Sequence, residues 1–287
     1  MRTILVCISD THACFKLGLM NPEVVLYDRD EIGNRIPYTP ASTAVQKYFW
    51  ELLLQGCQAV ELLAKGDEIV VIHYGDACHG NKYPKTLVST ELADQPVIAV
   101  SNMKPVLSLP NVRSFRLVMG TDAHNFDDGN ADKLIMDNLQ LMYPNINCDL
   151  VMQGLANIDG VEISYAHKGP FVGSRHHLLG NIAHQWLRDQ MTTELLGGHT
   201  PPRLYGFGHW HEYIYVTETI SVGNKDYTSS LFSMPSFNFP NLYTAAQTRA
   251  KSRHMHGILA FEIIDGEILG IAKRFTKTVD IRTKEIL

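Results

Sequence analysis

The chain has 287 residues, of which 45% are hydrophobic and 19% charged, and its formal net charge is −5. This length and composition suit a globular protein that buries a full core. The acidic balance disfavours tight non-specific binding to nucleic acid, because such binding depends on Lys and Arg neutralising phosphates. No apolar run approaches the roughly 20 residues that span a bilayer, which excludes a membrane-spanning helix.

The N-terminus and the cysteines indicate the cellular compartment, and the composition indicates the number of domains. The start, "MRTILVCISD", lacks the longer apolar stretch and cleavage site of a signal peptide. Five scattered Cys residues without a CxxC pair favour a reducing compartment and no disulfide framework. No change in composition marks a domain boundary. We therefore predict one cytoplasmic domain over 1–287.

The first half of the chain alternates between strand and helix patterns. Apolar runs predict strands at 2–9, 67–74 and 113–119. Apolar residues at helical spacing predict one or two helices over 43–64 and another over 130–143. Residues 84–103 look helical in part, with Pro96 as an interruption.

The second half is richer in strands. The segments "CDLVMQ" and "VEISYAHKG" bracket the turn "NIDG" and predict a hairpin. A helix is predicted over 176–195, and "RLYGFGHWH" reads as a strand and a turn. From residue 212 the pattern is mostly β, with a hairpin that turns at "DGE". This order predicts a layered α/β architecture with two sheets.

Polar clusters follow five of the predicted strands. They are "ISDTH", "HYGDACHG", "MGTDAHN", "SYAHKG" and "GFGHWH". Any single cluster is explained by a turn-forming Asp or a structural His. Five clusters at five strand ends, each with a carboxylate or an imidazole, favour a metal site, because sites in open α/β sheets form at the carboxyl ends of strands.

The residue types indicate which chemistry such a site supports. Carboxylate and imidazole ligands suit Mn, Fe, Zn and similar ions. A carboxylate can bridge two ions about 3.5–4 Å apart, and such a pair acidifies water and clamps a phosphoryl group. The sequence therefore favours a two-metal centre.

The order D-x-H, G-D, a Gly-led loop ending in His, a lone His and then G-H-x-H resembles the calcineurin-like metallophosphoesterase family, in its phage and prophage form. The resemblance implies a four-layer αββα sandwich of two mixed β-sheets flanked by helices. It also implies two divalent metal ions, Mn before Fe, Zn, Ni or Mg. The implied reaction is hydrolysis of a phosphodiester or phosphomonoester by a metal-activated hydroxide, with a small nucleotide or a nucleic-acid end as substrate.

The resemblance also implies roles for individual residues. Asp10, His12 and His211 hold the first metal, and Asp76 bridges the two. His167 and His209 hold the second metal. His124 contacts the phosphate and protonates the leaving oxygen.

The third motif departs from the family pattern. The family has G-N-H, and its Asn binds the second metal, whereas this chain has Gly120-Thr121-Asp122-Ala123-His124. Either Thr121 or Asp122 replaces the Asn through an oxygen, or the second site is weak.

Several residues outside these motifs have two possible roles each. His79 follows Asp76 by three residues and is either a substrate-side catalytic residue or a plain loop histidine. Arg175 and His176 open a predicted helix and either touch a phosphate at its N-terminus or remain solvated. The second HxH, His254 and His256, is disfavoured as a metal site.

Two alternative functions remain open for a protein of this fold, and a third class of protein is excluded. A DNA exonuclease or repair nuclease of the same fold is the first, although such enzymes usually have a basic groove. A catalytically inactive metal-binding scaffold is the second, supported by the altered third motif. A Rossmann-type nucleotide-binding protein needs a GxGxxG after its first strand, and "SDTHACFKLG" is not one. The oligomeric state stays open.

Overall fold

The computed structural model describes residues 2–126, 130–172, 179–240 and 253–280. The helices in these ranges are α1 (Ala44–Ala64), α2 (Asp94–Leu107), α3 (Asn130–Met142) and α4 (Asn181–Leu196). The strands are β1 (Arg2–Ile8), β2 (Leu26–Arg29), β3 (Arg35–Tyr38), β4 (Glu68–His73), β5 (Val112–Val118), β6 (Asn147–Val151), β7 (Gln153–Ile158), β8 (Val161–Ala166), β9 (Leu204–Phe207), β10 (Ile214–Val222), β11 (Lys225–Ser233), β12 (Arg253–Ile264), β13 (Glu267–Ile268) and β14 (Lys273–Asp280).

Most of the strands form two mixed sheets. The first has the order β13-β12-β1-β4-β5-β6, with β14 also paired to β12. In it, β1, β4, β5 and β6 are parallel, and β12 runs antiparallel to β1. The second has the order β10-β11-β9-β8-β7, with β8, β9 and β11 parallel. Strands β2 and β3 form a separate hairpin.

Alternating side chains of β1 show how the layers are built, because successive residues of a strand face opposite sides. Ile4, Val6 and Ile8 pack with α1, α2 and α3 in one core, whereas Leu5 and Cys7 lie in a core shared with the second sheet. A third core joins α4 to the outer face of the second sheet. The layers are therefore helix, sheet, sheet and helix, and the predicted αββα class is confirmed.

Helix α1 begins at a capping box that also holds the loop after β1. The Thr43 hydroxyl accepts a hydrogen bond from Gln46 N at 3.1 Å, and Gln46 Oε1 accepts one from Thr43 N at 2.9 Å. The same hydroxyl donates to Lys16 O at 2.8 Å, and Gln46 Nε2 donates to Phe15 O at 3.0 Å. The cap thus fixes both the helix and the loop that follows the first predicted motif.

We expect Thr43→Ala to lower the free energy of unfolding by about 1 kcal/mol, because the first turn loses its side-chain acceptor. Urea denaturation measures this loss. Thr43→Ser is the matched control, since it keeps the hydroxyl and should retain most of the stability. Equal losses in both variants would show that the cap does not carry the effect.

Two sequence predictions differ from the structure. The segment "CDLVMQ" is not one arm of a hairpin, because β6 ends at Val151 in the first sheet and β7 begins at Gln153 in the second. Pro96 does not interrupt a helix, because it lies in the first turn of α2, where a missing N–H costs nothing. The β2–β3 hairpin was not predicted. The predicted helix over 176–195 is present from Asn181, and residues 173–178 lie outside the described ranges.

The topology brings the predicted motifs to one edge. Strands β1, β4 and β5 are parallel, so the loops that follow them leave the first sheet on the same side. Strands β8 and β9 are parallel in the second sheet, and the backbone at Gly208 after β9 lies against Ser9 after β1. No helix in the described part of the chain is long and apolar enough to cross a membrane.

Candidate metal centre

The loops after β1 and β4 are joined by backbone hydrogen bonds. Asp10 N donates to Gly75 O at 3.0 Å, and His12 N donates to Asp76 O at 3.1 Å. These bonds bring the side chains of Asp10, His12 and Asp76 into one buried cluster.

His73 contacts both of these loops through its side chain, which is completely buried. Its Nδ1 accepts from Gly75 N at 3.2 Å, and its Nε2 lies 3.2 Å from the Thr11 hydroxyl. Because the Thr11 hydroxyl already donates to Ala77 O, the proton between the two belongs to His73 Nε2. Burial lowers the pKa of His73 to about 4, so this imidazole is a neutral structural link.

Asp10, His12 and His211 form the first metal-competent group, with one potential ligand atom from each lying within 4.8 Å of the others. Asp10 Oδ1 lies 3.0 Å from His211 Nε2 and 3.9 Å from His12 Nε2. The two imidazole Nε2 atoms are 3.4 Å apart. Three potential ligand atoms therefore converge on one point.

Asp76, His167 and His209 form the second group by the same measure. His167 Nδ1 donates to Tyr74 O at 2.6 Å, which leaves Nε2 directed at Asp76 Oδ2, 3.1 Å away. His209 N donates to Asp10 Oδ2 at 3.1 Å and so ties the second group to the first. The turn that carries "GHWH" therefore supplies one imidazole to each group.

A third group consists of imidazoles alone, from His12, His79 and His124. His79 Nδ1 lies 3.4 Å from His12 Nδ1, and the His79 carbonyl accepts from His124 Nδ1 at 2.5 Å. His124 Nε2 then faces Asp76 Oδ2 at 3.9 Å. His79 thus contacts one predicted ligand through its side chain and orients His124 through its backbone.

Five of the predicted ligands adopt left-handed backbone conformations, which are uncommon for residues other than Gly. Their φ angles are 51° at Asp10, 44° at His12, 50° at Asp76, 70° at His209 and 55° at His211. Each such residue costs on the order of 1 kcal/mol or more, and strain of this kind concentrates at functional sites. The strain supports a functional role for these loops.

Two glycines allow this close packing. A Cβ at Gly75, where φ is 92°, would lie 2.5 Å from His167 Nδ1. A Cβ at Gly120 would lie 2.5 Å from Asp76 Oδ1. A side chain at either position would displace a predicted ligand.

The electrostatics of the acids favour their charged forms. Burial by itself would raise the pKa of Asp76, but the hydrogen bond and charge of His167 outweigh burial and hold that pKa well below its usual range. Burial also opposes ionisation of Asp10, and His211 nevertheless lowers its pKa. Burial would lower the pKa of His167, yet Asp76 and Asp10 raise it to about 9.

The imidazoles of His12, His79 and His209 are biased toward neutrality. Burial and the neighbouring His124 lower the pKa of His79 to about 3, and the same two causes depress the pKa of His12 well below its usual value. Burial and His167 lower the pKa of His209. Neutral imidazoles retain the lone pair that a metal requires.

The third motif is organised around Thr121 rather than Asp122. Thr121 donates to Asp76 Oδ1 through its backbone N at 2.7 Å and its hydroxyl at 3.1 Å. Asp122 begins a short 3₁₀ turn, is exposed, and is not in any of the three groups found among the described residues. Of the two alternatives for the missing Asn, the structure places Thr121 against the acid.

A buried acid that sequence reasoning missed holds this loop. Asp132 Oδ2 accepts hydrogen bonds at 2.8 Å from both Gly120 N and Asn125 Nδ2. Asn125 Oδ1 in turn accepts from Asp132 N at 2.9 Å. Burial raises the pKa of Asp132 to about 7. Asn125 therefore links the third motif to α3.

The groups open onto a cavity of about 400 Å³. His12, Asp76, His79, His124, His209 and His211 contribute to its wall. Sequence reasoning did not select three further lining residues, Ser236, Asn238 and Phe239. His254, which it disfavoured as a metal ligand, also lines the cavity. A usable signal was present, because "SMPSFNF" follows β11 as the other polar clusters follow their strands. Arg175 and His176 lie outside the described residues.

Known proteins resemble this chain only distantly. No protein-family model matches the chain, and no curated protein matches it. A protein of unknown function, AQ665 from Aquifex aeolicus, aligns over 73% of this chain and 80% of its own, with 18% identity and a TM-score of 0.34. A metallophosphoesterase from Sphaerobacter thermophilus aligns over 98% of this chain and 90% of its own, with 13% identity and a TM-score of 0.35. At these TM-scores neither similarity identifies a function.

Proposed function

We propose that the protein is a metal-dependent phosphoesterase with two divalent ions at the edge shared by the two sheets. The observation that carries the proposal is the pair of groups centred on the buried acids Asp10 and Asp76, which are adjacent and linked by His209 N. Each group combines one carboxylate with two imidazoles, which suits Mn, Fe or Zn.

The hydrogen bonds behind the ligands support this assignment. A metal-binding His usually donates its second N–H to a carbonyl or another acceptor. His167 does so to Tyr74 O. When His12 binds through Nε2, its Nδ1 carries the proton and donates to His79 Nδ1, which leaves the His79 proton on Nε2. The imidazoles are therefore pre-oriented by the protein.

The residues divide into holding and proton-moving roles. Asp10, His12 and His211 would hold the first ion, and His167, His209 and Thr121 would hold the second. Asp76 would serve both ions. Bound ions supply positive charge to the phosphate and acidify a water. His124 is aimed at the cavity by the His79 carbonyl, and it donates the proton to the leaving oxygen through Nε2. His79 also lines the cavity, and its Nε2–H is a hydrogen-bond donor on the substrate side of the site.

The test is hydrolysis by protein stripped of metal, with Mn²⁺ added back. Bis-p-nitrophenyl phosphate and p-nitrophenyl phosphate are assayed in parallel. We expect turnover that requires the ion, and the preferred ester separates diesterase from monoesterase. The surface variant His184→Gln is the control, because His184 lies on α4 and pairs with Glu218.

The rival proposal of an inactive scaffold gives the opposite result. A folded protein that binds two Mn²⁺ ions in a titration but hydrolyses neither these esters nor natural nucleotides with any divalent ion would replace the enzyme by a metal-binding module.

A further inference from the structure

We propose, on the basis of the phosphoesterase assignment above, that the cavity beside the metal groups binds a flat aromatic ring carried by the substrate. The substrate is then a nucleotide-sized phosphoester with one base. Its phosphate lies at the metal groups, and its base lies against the wall formed by Trp210, Phe239 and Tyr83, here called the aromatic wall.

Trp210 is held rigidly in this wall. Its Nε1 donates to Gly169 O at 3.1 Å. Its ring meets Phe171 edge-on at a centroid distance of 4.9 Å and His209 at 4.7 Å. A ring fixed before binding loses little entropy when a ligand stacks on it. Because Trp210 adjoins His209 in sequence and in space, a base on this ring lies next to the second metal group.

Phe239 is anchored by contacts of a similar kind. Its ring stacks against Phe49 at 5.2 Å and meets His256 edge-on at 4.5 Å. Its backbone N donates to Leu17 O at 2.9 Å. The ring remains half-buried and lines the cavity. These contacts fix one side of the ring against the core and leave the remainder to a ligand.

Polar side chains line the same cavity as these rings. Ser236, Asn238 and His254 line the cavity and are largely buried. The cavity lining thus includes a hydroxyl, an amide and an imidazole besides the aromatic rings, and groups of these kinds read the edge of a heterocyclic base.

Size and charge favour one nucleotide over a strand. A volume of about 400 Å³ is at the small end for ligand pockets. Lys82 is the one Lys or Arg among the described residues that line it. A polynucleotide requires a run of cations along its backbone. This wall therefore fits one base, with its phosphate at the metal groups.

The first experiment compares substrates that differ only in the base. Adenosine 5′-phosphate is compared with ribose 5-phosphate, and their methyl diesters are compared with each other, by phosphate release and by chromatography. We expect removal of the base to lower kcat/KM at least about fivefold, as the loss of one stacked base does. Bis-p-nitrophenyl phosphate is the reference that reports phosphoesterase activity itself.

Two variants locate the effect. Phe239→Leu and Tyr83→Leu each remove one ring of the aromatic wall, and Tyr83 is exposed enough for the fold to tolerate the change. We expect each to lower kcat/KM for the nucleotide about fivefold, chiefly through KM, and to change the base-free ester less than twofold. Phe275→Leu is the control, because Phe275 is half-buried on β14 and does not line the cavity.

The outcomes separate the two proposals. If no ester is cleaved, including the reference, the phosphoesterase assignment fails. If the reference is cleaved but esters with and without a base react equally, the base-binding proposal is overturned. The same holds if only polynucleotides are cleaved, or if the aromatic-wall variants lower both rates together.

Discussion

Asp76→Asn is expected to remove activity by well over 100-fold and to eliminate tight binding of the second metal ion. Loss of a residue that merely supports a metal ligand typically costs 10–100-fold in affinity or activity, so loss of a carboxylate that is proposed to serve both ions should cost more. The substitution preserves shape. The amide oxygen still accepts from Thr121 N, whose present distance to Oδ1 is 2.7 Å, while the charge facing His167 disappears.

Metal content and activity should be measured on the same preparation. Inductively coupled plasma analysis after dialysis counts the ions, and a melting curve verifies that the variant is folded. Asp137→Asn is the matched control, because the side chain of Asp137 is 49% exposed on α3 and pairs only with Lys133 among the ion pairs of the described residues. Full activity in Asp76→Asn would remove Asp76 from the metal centre.

The meeting of the motifs was predictable because it depends on strand direction. Parallel β1, β4 and β5 end at the same edge, so Asp10, Asp76 and the 120–124 loop had to approach one another. The later His167 and His209 follow parallel β8 and β9. Alternation of apolar residues was sufficient to assign these strands, and sheet stacking brings the two edges together.

The details of the third motif were not predictable, because they depend on a single turn. The 3₁₀ turn over Asp122–His124 directs Asp122 outward and leaves Thr121 as the donor to Asp76. Both residues carry oxygen, and composition cannot distinguish which one faces inward. The pairing of Asp132 with Asn125 likewise depends on where α3 begins.

The aromatic wall escaped prediction for another reason. Its residues come from segments far apart in sequence, at Tyr83, Trp210 and Phe239, and aromatic residues at such positions usually belong to a core. The break at Met152 between β6 and β7 was equally hidden, because an apolar run gives no sign of the residue at which a chain changes sheets.

Metal affinity is expected to rise with pH, and the reason lies in His167. Asp76 and Asp10 outweigh burial and raise the pKa of this imidazole to about 9 in the metal-free protein. At pH 7 it therefore carries a proton on the nitrogen that a metal needs. Ion uptake must release this proton, so affinity at the Asp76 group should increase roughly tenfold per pH unit from about pH 7 to pH 9 and then level off.

The stability of the metal-free protein is expected to change with pH in the opposite direction to its metal affinity. A His pKa raised from 6.5 in the unfolded chain to about 9 in the folded one stabilises the fold fully below pH 6.5. That contribution is lost as the pH rises through 9. Raising the pH over this window should therefore weaken the metal-free protein and strengthen its complex with Mn²⁺.

Calorimetric titration of Mn²⁺ in buffers of different ionisation enthalpy measures both the affinity and the protons released. We expect about one proton per ion at the Asp76 group at pH 7 and fewer above pH 9. In Asp76→Asn the His167 pKa should fall, because its main charged partner is gone, and the residual proton release should fall with it. Affinity that is flat between pH 6.5 and 8.5, with no proton released, would show that His167 does not bind the ion.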